Sequence, residues 1–158
     1  MKKPLNDIVP PIEFSGEAQL LLFTRYGDPR DAGWDTKWIT EWHVQKHFQW
    51  FPEPNILIHK HFWPILEKAF TALEKEGLHT QIKTFDGCFE IRKIHGSRSV
   101  LSVHSWGAAI DLNAKTNPLG SFGTWDKAFL ETMAKHDIIC GQKWDCRKDP
   151  MHFSMVNG

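Results

Sequence analysis

Two histidines and two aspartates stand out in this chain for the chemistry they could do together. His104 and Asp111 fall in residues 102–111, reading SVHSWGAAID, and Asp149 and His152 fall in residues 149–153, reading DPMHF. Imidazole nitrogens and carboxylate oxygens are the donors of hydrolytic zinc sites, where three protein ligands leave one coordination position open for water. His104, Asp111 and His152 are the three candidate ligands. Asp149, close to the last of them, is the candidate proton carrier. Taken singly, each histidine would more often be a hydrogen-bonded structural residue, and Asp149 alone before Pro150 could be a turn residue. The ordered spacing of all four favours the metal reading.

The flanking residues say how such ligands could be positioned. Gly107, Ala108 and Ala109 let the backbone turn tightly after His104 and pack closely. The alternation Ile110, Asp111, Leu112, Asn113 predicts a strand with Ile110 and Leu112 facing the core and Asp111 on the opposite face. In a second strand the same parity separates Met151, Phe153 and Met155 from His152 and Ser154. Asp149 is out of phase with His152, so the chain must bend around Pro150 for both side chains to reach one ion. Other histidines compete poorly. His43 and His47 have the spacing of one helix face, but Val44 and Gln45 stand where a zincin helix would carry its glutamate. His59, His61, His79, His95 and His136 have no ligand spacing, and exposed or capping roles are expected for them.

On these residues the chain resembles the zinc peptidase family of D-Ala-D-Ala carboxypeptidases and dipeptidases, and of phage endolysins that cut L-alanyl-D-glutamate bonds. That family is related in fold to lysostaphin-type and hedgehog domains. The shared pattern is SxHxxGxAxD followed by DxxH, met by Ser102, His104, Gly107, Ala109, Asp111, Asp149 and His152. The endolysin-like branch is the more similar, through a helix ending at residues 76–78 (EGL), the stretch 87–96 (GCFEIRKIHG) and residues 141–144 (GQKW). The likeness covers residues 56–156.

The resemblance implies one zinc ion per chain on His104, Asp111 and His152, with Asp149 as general base and Glu90 next in line for that role. It also implies that Arg92 faces the developing oxyanion; Arg98, closer in sequence to the ligands, is the rival. Ser102 matches a substrate-contacting position, although a loop hydroxyl bonding its own backbone is an equal reading. Trp106 and Trp144 flank the metal motifs and are expected to wall the cleft. The implied activity is hydrolysis of an amide bond in the peptidoglycan stem peptide, foremost between L-alanine and D-glutamate. Alternatives are a D-Ala-D-Ala carboxypeptidase or dipeptidase, and a non-catalytic zinc-stabilised wall-binding domain.

Composition fits a single soluble enzyme domain, and a monomer is expected. At 158 residues the chain can bury about two thirds of the surface its unfolded form exposes. Lys plus Arg equals Asp plus Glu at 19 each, a net charge of zero that leaves no footprint for nucleic acid or an anionic membrane. No apolar run approaches a membrane span, and the start, MKKPLNDIVPPIEF, lacks the apolar stretch of a secretory signal. Synthesis in the cytoplasm, with action on the wall after release, is therefore expected. The three cysteines, Cys88, Cys140 and Cys146, form no CxxC, and reduced thiols are expected. Cys140 and Cys146 bracket the approach to DPMHF and could pair outside the cell.

The coarse architecture predicted is α+β, a small antiparallel sheet backed by two or three helices, with zinc on the sheet's open face. Residues 1–55 read as a Trp-rich N-terminal extension packed on the core, and 56–158 as the zinc peptidase domain. Within the extension, residues 1–14 suggest an extended arm, 17–26 a helix or strand, and 35–51 a helix with Trp38 and Trp42 on one face, ended by Pro52 and Pro54. Its tryptophans could stack on glycan, but packing against the core is favoured. Phe62, Leu66, Phe70 and Leu73 predict a core helix ending near Gly77. Strands are expected at 80–85 and 89–94, joined by a turn at Asp86 and Gly87. A helix capped by Thr124 should bury Trp125, Phe129 and Met133.

Overall fold

Leu66, Ala69, Phe70 and Leu73 form the buried stripe of helix α3 (Trp63–Lys75) in the computed structural model, which describes residues 16–158. The arm expected at residues 1–14 lies outside the described residues. Pro64 occupies the first turn of α3, where its missing N–H breaks no helical bond. Gly77, with φ 71°, follows the helix end in the left-handed conformation that glycine favours.

Helix α3 and helix α4 (Lys127–Lys135) pack on a four-stranded antiparallel sheet. Its strands are β3 (Phe85–Gly87), β4 (Ala109–Leu112), β5 (Ile139–Gly141) and β6 (Asp149–Ser154), in the order β3-β4-β6-β5. Ile110 and Leu112 of β4 and Phe153 of β6 enter the same core as Phe70, Phe129 and Met133, as the alternation predicted. Burying side chains of this size contributes about 1.5–3 kcal/mol each.

Helix α1 (Glu17–Tyr26) settles the ambiguous apolar run. Its Ala18 and Leu22 join Trp34, Leu101, Val103, Trp106, Ala108, Ala109 and Val156 in a second buried cluster. The single helix expected over 35–51 is not formed. Instead α2 (Trp34–Trp38) runs into strand β1 (Ile39–Trp42), which pairs with β2 (Ile56–His59) in register Ile39↔His59 and Trp42↔Ile56. The β-branched pair Ile39 and Thr40 suits a strand once β2 offers its edge, and pairing overrides a helical spacing carried by two tryptophans. Trp42 stacks on Phe70 at 5.8 Å, and Trp50 Nε1 donates to Glu74 Oε2 at 2.6 Å.

Two further expectations are corrected. Asp86 and Gly87 belong to β3 and do not turn a hairpin, because Asp86 Oδ2 accepts from Thr84 Oγ1 and the Ala114 N–H, and Gly87 lies at a register shift against β4. Residues 89–94 form no strand; Lys93 makes one isolated bridge with Leu101. The cap of α4 is Asp126, not Thr124, since the Thr124 N–H and hydroxyl both turn to Asn117 Oδ1. The architecture is α+β, with two small antiparallel sheets and four α-helices among the described residues. No helix there is long and apolar enough to cross a membrane. All three cysteines are free; burial pushes the Cys140 thiol up to about 12.

Candidate metal centre

His104 sits in a single 3-10 turn, Val103–Trp106, which leads into β4. Ser102 Oγ accepts from the His104 N–H at 3.3 Å and caps that turn. Gly107 closes it with φ 64°, and a Cβ there would lie 2.8 Å from Ile39 Cδ1 and 2.9 Å from the His59 nitrogen, so only glycine fits. The other two candidate ligands are brought together by strand register. Asp111 of β4 stands directly opposite His152 of β6, and direct partners project from the same face of a sheet.

The three side chains are buried and converge. His104 Nε2 lies 3.2 Å from Asp111 Oδ1, and His152 Nδ1 lies 3.6 Å from the same oxygen. One donor atom from each residue falls within 4.8 Å of the others. The far nitrogen of each ring meets a backbone carbonyl: His104 Nδ1 donates to Cys88 O at 2.8 Å, and His152 Nε2 to Gly158 O at 2.7 Å. A carbonyl carries no proton, so the ring hydrogens sit on those far nitrogens. In neutral rings, the lone pairs of His104 Nε2 and His152 Nδ1 then face a carboxylate oxygen, an arrangement that repels without a cation between them. A tetrahedral zinc with bonds of about 2.0–2.1 Å holds its donors about 3.3 Å apart, so this set fits that ion. Burial alone would raise the Asp111 pKa; when the rings are doubly protonated, hydrogen bonds and positive charge from His104 and His152 outweigh it and hold the carboxyl well below its usual range.

Asp149 comes to the same place by an irregularity. Cys140 pairs with Phe153, yet the next residue, Gly141, pairs with Asp149, so β6 bulges through Pro150, Met151 and His152. That is the bend the phase mismatch required. Asp149 Oδ1 is buried with no hydrogen-bond partner among the described residues. Burial raises its pKa, as does Asp111; His152, His104 and Arg92 oppose them, and the balance is upward.

These groups line a cleft of about 1000 Å³. Arg92 reaches into it, with Nε 3.4 Å from Glu90 Oε2, while Glu90 is exposed and does not line it. Arg98 is exposed and also off the cleft; its carbonyl accepts from Lys93 Nζ at 2.6 Å. Ser102 both lines the cleft and caps the His104 turn. Trp106, expected as a wall, is fully buried in the second cluster, and its Nε1 donates to Gly27 O at 2.9 Å. Trp144 does line the cleft, its ring 5.3 Å from that of His152.

Sequence reasoning missed His95, Lys143, Asn157 and Gly158 in the lining. His95 lay inside the resembling stretch 87–96, which was the available signal; Asn157 and Gly158 offered none. His59, expected to be exposed or capping, is fully buried against Tyr26, and burial lowers its pKa to about 4. His43 and His47 share no helix and stand apart from the triad; His43 Nδ1 meets Asn55 Oδ1 at 2.5 Å.

Residues 95–155 match the family model described as D-alanyl-D-alanine carboxypeptidase. The match supports a metallopeptidase, a hydrolase. Its span includes His104, Asp111, Asp149 and His152 and excludes Arg92. No curated protein and no solved structure matches the chain.

Proposed function

We propose that this chain is a zinc peptidase that hydrolyses an amide bond of the peptidoglycan stem peptide, cutting between L-alanine and D-glutamate in the manner of a phage-type endolysin. The observation that carries the reading is the unpartnered, buried Asp149 Oδ1 beside three converging ligands in one cleft. A zinc ion on His104, Asp111 and His152 would polarise the scissile carbonyl and acidify the attacking water. The Asp149 carboxylate accepts a proton from that water as its oxygen bonds to the carbonyl carbon. It then returns the proton to the amide nitrogen as the C–N bond breaks, leaving a carboxylate and an amine. The guanidinium of Arg92 offsets the negative charge that develops on the carbonyl oxygen.

The endopeptidase reading is supported by the resemblance of residues 76–78, 87–96 and 141–144 to the endolysin-like branch. In this reading the enzyme acts as a monomer, is made in the cytoplasm and meets the wall after release. A second reading, D-Ala-D-Ala carboxypeptidase, is favoured by the description of the matching family. A purely structural zinc domain is disfavoured, because such sites fill the fourth position with protein and need no proton carrier. Digestion of purified peptidoglycan, with and without a chelator, followed by mass spectrometry, decides among them. A new N-terminal glutamate, lost on chelation, is the expected result. Release of free D-alanine alone would establish the carboxypeptidase, and no cleavage by zinc-loaded protein would overturn the hydrolytic reading.

A further inference from the structure

The contact that orients His152 comes from the end of the described chain. Its Nε2 donates to the main-chain carbonyl of Gly158 at 2.7 Å, which leaves Nδ1 as the nitrogen facing Asp111. The segment presenting that carbonyl is fixed from three sides. Trp144 lies over His152 and donates through Nε1 to Asn157 Oδ1 at 3.2 Å. Val156 is buried in the cluster that includes Ala18 and Leu22 of α1, and its N–H donates to Ser154 Oγ at 3.2 Å. Gly158 itself lies against α1, where a Cβ would come within 2.3 Å of Ala18 Cβ.

We propose that Gly158 is a positioning residue for His152, and that helix α1 is the backing that holds it there. The inference rests on the reading of His104, Asp111 and His152 as a zinc site, and gives the N-terminal segment a role in that site. An imidazole free to spin about its Cβ–Cγ bond offers either nitrogen, and neither at a fixed angle. One tied through Nε2 offers Nδ1 alone, in the direction of the other two ligands. Without the Gly158 carbonyl, part of the binding free energy would be spent on ordering the ring. Loss of such outer partners weakens metal binding by about 10–100-fold. Gly158 also lines the cleft, so the effect proposed for it is read on affinity for the ion with no substrate present.

The test uses the full chain and zinc alone, titrated against a chromophoric chelator, with circular dichroism of the stripped protein as the check on folding. Three variants are compared with wild type: deletion of Asn157 and Gly158, Ala18→Leu, and a flexible tag appended after Gly158. Deletion is expected to weaken zinc by about 10–100-fold with the fold retained, Ala18→Leu to weaken it in the same direction, and the tag to change nothing. Imidazole ¹⁵N shifts should show His152 protonated at Nε2 in the stripped wild type and as a tautomer mixture after deletion. Unchanged affinity in the folded deletion variant would overturn the proposal, as would an unprotonated Nε2 in wild type. A loss caused by the tag would move the role from the carbonyl to a free chain end. Should wild type itself bind no zinc, the reading of the metal site fails first, and the variants are not what decides it.

Discussion

Asp149 is held between opposing influences, and its titration reports which of them is present. In the metal-free protein, burial and the neighbouring Asp111 disfavour its charged form, so its carboxyl titrates above the ordinary aspartate value of about 3.9. A dication beside it favours the charged form, so zinc should move the titration downward. Carbonyl ¹³C shifts of Asp149, followed against pH in stripped and loaded protein, check both directions. Asp149→Asn should keep zinc and fold while lowering turnover by roughly two to four orders of magnitude, because proton transfer is lost and ligation is not. The two arginines separate on geometry. Arg92 lines the cleft and bears on Asp149, so Arg92→Ala should cost roughly a hundredfold in kcat with zinc content unchanged, whereas Arg98→Ala should leave both near wild type. The candidate ligands and Asp149 could be singled out in the sequence because few residue types could do such chemistry, and the structure brings them together. The carbonyls of Cys88 and Gly158 that orient the imidazoles were not, since every residue carries a carbonyl and only the fold says which one arrives.

Strand register, more than any single side chain, assembles this centre, and it depends on elements of uneven legibility. Helix α3 was readable from its stripe of Leu66, Phe70 and Leu73, and β4 from the alternation around Asp111. The stretch 35–51 misled because Trp38 and Trp42 are four apart, yet Trp42 is buried as part of a strand whose partner β2 lies beyond two prolines. Asp86 and Gly87 misled for a related reason. Their local turn tendency gave way to pairing with β4, a contact that no local pattern encodes. The hairpin of β1 and β2 bears directly on the metal turn, because the His59 N–H donates to Gly107 O at 3.1 Å. Gly107→Ala forces a Cβ into that contact and into a left-handed φ, so it should destabilise the protein by about 2–5 kcal/mol. Urea unfolding of the stripped protein measures this, and zinc affinity should fall with it because His104 shares the turn.

At the scale of the molecule, the candidate ligands divide between two stretches of chain, with α4 and β5 lying between them in sequence. His104 and Asp111 precede that interval and His152 follows it. An ion bound to all three would close the interval into a loop whose ends cannot separate until the ion leaves. Because the unfolded chain does not hold the three donors together, stability should rise with free zinc as a linked equilibrium, by about 2.7 kcal/mol at a hundred times the dissociation constant. Thermal melts at graded free zinc check the relation, and a melting temperature indifferent to zinc would contradict it. Wherever proteases cut the opened form, zinc supply would govern the working lifetime of the chain, and scarcity would clear the protein as well as silence it.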